Sequence, residues 1–403
     1  MRFQGAISRV LAVVFWIVAS REAMAQEHIV VHGNDTLRYR YTPIEQAQQP
    51  TRKPGFLRRV VNYFERSAED HTFEKKIDFT FAGGFAYSKN TNVSLGLLGA
   101  GRYRLDRTDS ITPPSHFTLF GTGSVVGFYS VGVMGRNVWR RDIQRLSYEV
   151  DFRSEPRDFW GIGYTAGEQN PKQDFVEKLF RVKTDWQHRL WGHLYAGVAF
   201  DFQFARGKDF DDLTYIAGQE LTYTTTGLGL VLEYDSRDNT TASTRGLYLS
   251  GRKMIYAKGL CSTPNTFWKT QLTADFYQRV WRGGIVAVDL AGDFSSAGTP
   301  WPMLVRLGGL NRMRGYYSGR YVDRNLLTAQ IELRQHLWRR IGCAAWVGGG
   351  NIFRNFDEFS WRHTLPNYGF GLRWMFKQGM NIRADYGFGK HTGGFLLSIN
   401  EAF

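Results

Sequence analysis

Beyond residue 25 the sequence lacks any long apolar run. A membrane-spanning helix needs about 20 consecutive apolar residues, so such helices are excluded. Cysteine is nearly absent, with only Cys261 and Cys343. Two cysteines make no disulfide framework, and neither stands at metal-ligand spacing. A nucleophile with its base is also missing. His188 and His193 flank a turn, His336 falls in a strand, and His363 and His391 are scattered. No Ser–His or Asp–His arrangement converges, so neither an enzyme nor a cofactor or metal site is expected. Acidic residues are too few to balance the charge, which stands at +14.

What is present begins with an address. Arg2 and Arg9 make a basic start, residues 10–19 form a short apolar core, and Ala23-Met24-Ala25 reads as a cleavage site. Residues 1–25 are therefore expected to be a signal peptide. That segment carries a net +2, leaving +12 for the mature chain of the total +14. A high pI ordinarily suggests nucleic acid. Export argues against it, and a basic lumen or a phosphate-facing surface fits better. The expected partners are outer-membrane lipid and lipopolysaccharide, with no nucleic acid.

The chain is still 43% hydrophobic and 15% aromatic, with 44 glycines. An exported chain of this composition without apolar helices points to an all-β, antiparallel transmembrane barrel. There the lipid-facing residues alternate and escape a hydropathy window. Residues 26–75 are polar and broken by Pro43, Pro50 and Pro54. They read as a periplasmic leader or, from the helical spacing of Phe56, Val60, Val61 and Phe64, as a short plug helix. Residues 76–403 read as strand after strand. At roughly 20 residues per strand and connection they allow about sixteen strands. Short turns carry Trp139, Trp191, Trp281, Trp338 and Phe376, aromatics suited to a membrane interface. Longer connections fall near 154–178, 206–220, 257–265, 295–325 and 353–366. On this topology Cys261 and Cys343 lie too far apart to bond.

Residues 305–325, VRLGGLNRMRGYYSGRYVDRN, hold five arginines, Arg306, Arg312, Arg314, Arg320 and Arg324, against one carboxylate, Asp323. A loop folded back into a polar lumen, pinned by arginine to wall carboxylates, accounts for that clustering. An outward basic loop binding lipopolysaccharide phosphates is the other reading. The last strand alternates, with Phe395, Leu397, Ile399 and Phe403 expected on one face. A terminal Phe closing an alternating strand resembles the C-terminal recognition signal of bacterial outer-membrane barrels, and Glu401 departs from the apolar or aromatic residue usual at that point.

Residues 230–247 (LVLEYDSRDNTTASTRGL), the arginine-rich stretch with its GGLNRMRGY, and the C-terminal strand together resemble the BamA/TamA family of outer-membrane barrels, the bacterial surface antigen domain family. The resemblance implies sixteen strands, with the MRGY loop between strands 11 and 12 folded into the lumen. It implies that Arg314, beside Gly315 and Tyr316, meets Glu332 on the twelfth strand. The family also offers an aspartate on the thirteenth strand, two residues before a glycine. Here Gly348 stands at that position, before Gly350. Assembly-type members carry POTRA domains ahead of the barrel, and residues 26–75 have no such pattern. A periplasmic or lipoprotein partner in their place is therefore expected. The implied function is insertion or translocation of proteins, or of lipid-linked material, at the outer membrane. The seam between first and last strands would be weakened by Gly83, Gly84, Gly393 and Gly394. The alternative is a passive, anion-preferring channel or structural barrel.

Overall fold

A computed structural model describes residues 71–88, 92–109, 112–139, 141–377 and 380–403. The expected signal peptide and nearly all of the leader, including the helical spacing at 56–64, lie outside the described residues. Sixteen antiparallel strands close into one barrel: β1 (Asp78–Ser88), β2 (Asn92–Tyr103), β3 (Ser115–Ser124), β4 (Tyr129–Trp139), β5 (Gln144–Phe159), β6 (Gln173–Trp191), β7 (Leu194–Lys208), β8 (Thr222–Asp235), β9 (Gly246–Tyr256), β10 (Phe267–Trp281), β11 (Gly284–Ser295), β12 (Asn325–Trp338), β13 (Ile341–Phe353), β14 (Leu365–Lys377), β15 (Met380–Gly389) and β16 (Thr392–Ile399). Each pairs with its sequence neighbours, and β1 returns to β16.

Strand β12 shows why the sequence forms a barrel wall. Leu327, Ala329, Ile331 and Leu333 are exposed, while Thr328, Gln330, Glu332 and Arg334 are buried. A period of two puts apolar side chains outside and polar ones in the lumen. No helix among the described residues is long and apolar enough to cross a membrane.

At one end of the barrel, two-residue turns join β6–β7, β10–β11 and β12–β13. Trp191, 80% exposed, stands beside one of them, and Trp281 and Trp338 beside the others. The β2–β3 and β8–β9 connections at this end are longer, and in the latter, residues 236–245, Asp238 accepts from the Thr244 and Arg245 amides. Arg237 grips Asp235 there through two bonds of 2.8 and 2.9 Å. At the opposite end lie further long connections, 160–172, 209–221, 257–266, 296–324 and 354–364. Strands β5 and β6 run further toward this end than their sequence suggests. Their ladder continues through Pro156↔Val176 to Phe159↔Gln173. The extension buries Phe159 and Phe175 against Trp301, Leu304 and Val322 of the β11–β12 connection. Tertiary packing thus converts an expected loop into wall. Cys261 and Cys343 are both free thiols.

Candidate functional site

The β11–β12 connection turns into the lumen. A short helical turn, Trp301–Met303, is buried at its start. Val305–Arg306 then pairs with Val322–Asp323 as a two-residue ribbon. The ribbon closes the loop on itself, and Val305, Leu307, Met313, Tyr316 and Tyr321 pack as an apolar cluster with Leu326, Ile352 and Leu365 of the wall. Burial pushes the Asp323 carboxyl above the ordinary carboxylate range, although the Arg324 amide donates to it.

The arginines fix the loop to the wall. Arg306 donates two bonds to Glu177 on β6, at 2.7 and 2.9 Å. Arg312 holds Asp289 on β11, with its shortest bond at 2.6 Å. Arg314 bridges two strands. Its Nη2 donates to Glu332 Oε2 on β12 at 2.6 Å, and its Nη1 to Asp385 Oδ2 on β15 at 3.0 Å. Arg320 and Arg324 differ, donating instead to the Gly167 carbonyl and to Asn355 in the longer connections.

Arg314 and Glu332 both have fully buried side chains, at 0% exposure. The Arg314 guanidinium also lies 3.5 Å from the centroid of the Trp346 ring. Charge-assisted bonds and a desolvated aromatic face are the strongest contacts available to a guanidinium. Breaking one partner of such a buried pair costs about 3–5 kcal/mol. Asn367 on β14 adds a bond from Nδ2 to the Arg314 carbonyl at 2.6 Å, and Trp346 Nε1 orients that amide.

The second carboxylate is not on the thirteenth strand. There β13 supplies the Trp346 face, and the lumen side at Gly348 and Gly350 is left to backbone and to the loop's Leu307 and Met313. Asp385 fills the role from β15, in the sequence Asp385-Tyr386-Gly387. The aspartate two residues before a glycine is therefore present, two strands later than expected. The glycine has a physical reason. A Cβ at Gly387 would lie 2.1 Å from the Arg314 carbonyl oxygen. Gly315, at φ +95°, would in turn drive a Cβ to 2.3 Å from the Gly387 oxygen. Two glycines let loop and wall touch backbone to backbone. Tyr316 continues the contact, donating to the Pro366 carbonyl and accepting from the Lys390 amide, both at 2.7 Å.

The chain leaves the alternation of the last strand only after Ile399. Leu396 faces the lumen and Ile399 is exposed outside. Asn400 then adopts φ +67° and ends the strand. Phe403 consequently leaves the face shared by Phe395, Leu397 and Ile399. Its ring lies 6.3 Å from that of Tyr277, a buried residue of β10, and Arg334 donates to its carbonyl at 2.9 Å.

The seam is the other notable region. Strands β1 and β2 share eleven registered pairs, and β15 and β16 share eight. Among the described residues, Tyr87↔Leu397 is the one registered pair across β1 and β16. The four glycines assigned to the seam pair away from it: Gly83 with Leu97, Gly84 with Gly96, Gly393 with Phe388 and Gly394 with Gly387.

A cavity of about 290 Å³ remains in the lumen. Six cationic side chains, Lys183 and Lys269 among them, line it with Glu177, Asp201 and Asp293.

The Omp85 superfamily domain matches residues 136–403. No curated protein matches the chain in sequence. Among solved structures, BamA from Haemophilus ducreyi lacking POTRA domains 1–3 is 10% identical, with a TM-score of 0.57 over 81% of this chain and 70% of that one. CdiB from Acinetobacter baumannii is 11% identical, with a TM-score of 0.53 over 81% of this chain and 60% of that one. CdiB from Escherichia coli is 13% identical, with a TM-score of 0.54 over 81% and 62%. At these identities the likeness is one of fold.

Proposed function

Because this chain belongs to the Omp85 superfamily, we propose that it is an outer-membrane barrel that inserts or translocates polypeptides, or lipid-linked material, at its β1–β16 seam. The observation that carries this reading is that Tyr87↔Leu397 is, among the described residues, the one registered pair at the seam. In a bilayer each unpaired backbone group costs several kcal/mol. Two adjoining strand edges with little mutual pairing are a template for an incoming strand, which would satisfy their amides and carbonyls. The Arg314–Glu332–Asp385 anchor holds the loop against β12 and β15, so that the neighbouring edge can move on a fixed support. A periplasmic or lipoprotein partner would deliver the substrate.

The test is a disulfide across the seam, Tyr87→Cys with Leu397→Cys, with Cys261 and Cys343 replaced by serine. Locked cells should grow poorly and lose outer-membrane protein, and reductant should restore both. Unchanged growth and unchanged outer-membrane protein content under full cross-linking would sink the proposal.

The cation-lined cavity favours a second reading, a passive anion-preferring channel. Anion-selective conductance in planar bilayers that survives the seam disulfide would select it.

A further inference from the structure

The four residues after β16 have no part in the pairing of the seam, yet they are fixed in place. The Asn400 amide donates to the Asn381 carbonyl at 2.7 Å, and the Glu401 amide to that of Thr241 at 3.2 Å. The Glu401 side chain is 4% exposed, an unusual burial for a carboxylate. It accepts from Arg373 Nε at 2.8 Å and from Asn381 Nδ2 at 2.6 Å.

Arg373 also donates to Asp385 Oδ1 at 2.5 Å, the carboxylate whose other oxygen holds Arg314. Arg334 lies 3.7 Å from Glu401 and donates to Glu332 Oε1 at 2.7 Å, the carboxylate whose other oxygen also holds Arg314. The tail therefore shares both partners of the loop arginine. With Arg383, which donates to Asp385 at 3.0 Å, four guanidiniums face three carboxylates. Removing Glu401 would leave four against two in an enclosed site. Arg334 Nη1 and Arg373 Nη2 are already buried without a hydrogen-bond acceptor, so the cluster has none to spare. At the other end of β16, Thr392 Oγ1 donates to the Gly315 carbonyl at 3.1 Å.

We propose that Glu401 is a positioning residue that couples the closing strand to the loop: it holds β16 to the Arg314 anchor, so that seam and loop loosen together. The proposal rests on the seam reading above for its use, but not on what passes through the seam. It gives the acidic residue in the C-terminal signal a task inside the folded barrel. A ligand or substrate strand that displaced the tail would unload two of the arginines that share the carboxylates of Arg314. That differential contact is what coupling requires.

The test uses purified full-length protein in lipid discs, in the serine background. One readout is the rate of disulfide formation between Tyr87→Cys and Leu397→Cys. The other is the mobility of a spin label placed at Leu310, an exposed residue of the loop. E401Q should slow cross-linking about tenfold, a fraction of what breaking a buried pair can cost, and should free the label. N381A, which removes only the neutral contact, should leave both readouts near those of the parent. A slower seam with an unmoved loop, or no change in either, overturns the coupling. If E401Q does not form a heat-modifiable barrel, E401D serves, and unchanged readouts there overturn it equally. Neither readout involves growth or substrate, so failure here is distinct from failure of the proposed function.

Discussion

Glycine means opposite things on the two sides of this barrel. On β1, a Cβ added at Gly84, which faces the lumen beside Gly96, would meet nothing within 4 Å. On β15, a Cβ at Gly387 or Gly389 would run into Arg314 or Tyr316 of the loop. The same residue type marks an open lumen on one wall and a close-fitted seat on the other. The difference teaches where the molecule is held. The wall from β12 to β15 is braced by buried charge pairs and backbone contact with the loop. Among the described residues, the first strands are joined to that wall at the seam by one registered pair.

Removing the brace should have the largest effect. Arg314→Ala deprives Glu332 and Asp385 of a shared guanidinium, and the unfolding free energy in detergent should fall by about 3–5 kcal/mol. A loss under 1 kcal/mol would mean that water or Arg334 replaces it. The glycine comparison comes next. Gly387→Ala should destabilise by about 1–3 kcal/mol through overpacking. Gly84→Ala should be neutral or gain about 0.4–1 kcal/mol by restricting the unfolded chain. Equal effects at the two sites would erase the contrast between the walls.

The smallest effect belongs to the rim. In the short helix Tyr164–Gln169, Glu168 accepts from Lys390 Nζ at 2.8 Å and from the Tyr321 hydroxyl. Partial burial raises the Glu168 carboxyl, but those two hydrogen bonds outweigh it and hold the group below its ordinary value of 4.5. A pKa lower in the folded state stabilises above the unfolded value, and that stability is lost as pH falls through the folded one. Acidification below 4.5 should therefore loosen the contact of helix and loop, seen as a change in tyrosine fluorescence. E168Q should abolish that pH dependence, and its persistence would assign it to another group.

Much of this architecture was legible in the chain. Alternation over residues 76–403 gives sixteen strands because every strand faces lipid on one side and lumen on the other. The arginine cluster at 305–325 marks a loop that must meet carboxylates. Asp385 was harder to see. Its Asp-x-Gly spacing stands in the sequence, but which strand lies beneath a loop depends on how the loop folds across the barrel. The path of Glu401 was hidden for a similar reason. Its only local sign was a carboxylate where an apolar residue belongs, and the left-handed turn at Asn400 that sends it inward is not encoded by alternation. The single-pair seam is also a property of closure. Glycines at 83, 84, 393 and 394 point to the right strands, yet all four pair on the closed side.

The account rests on an anchored wall beside a weak seam, and amide hydrogen exchange in lipid discs tests that most directly. The amides of β1 and β16 should exchange fastest among the sixteen strands, and those of β12 and β13 slowest. Seam amides as well protected as those of β12 and β13 would contradict it.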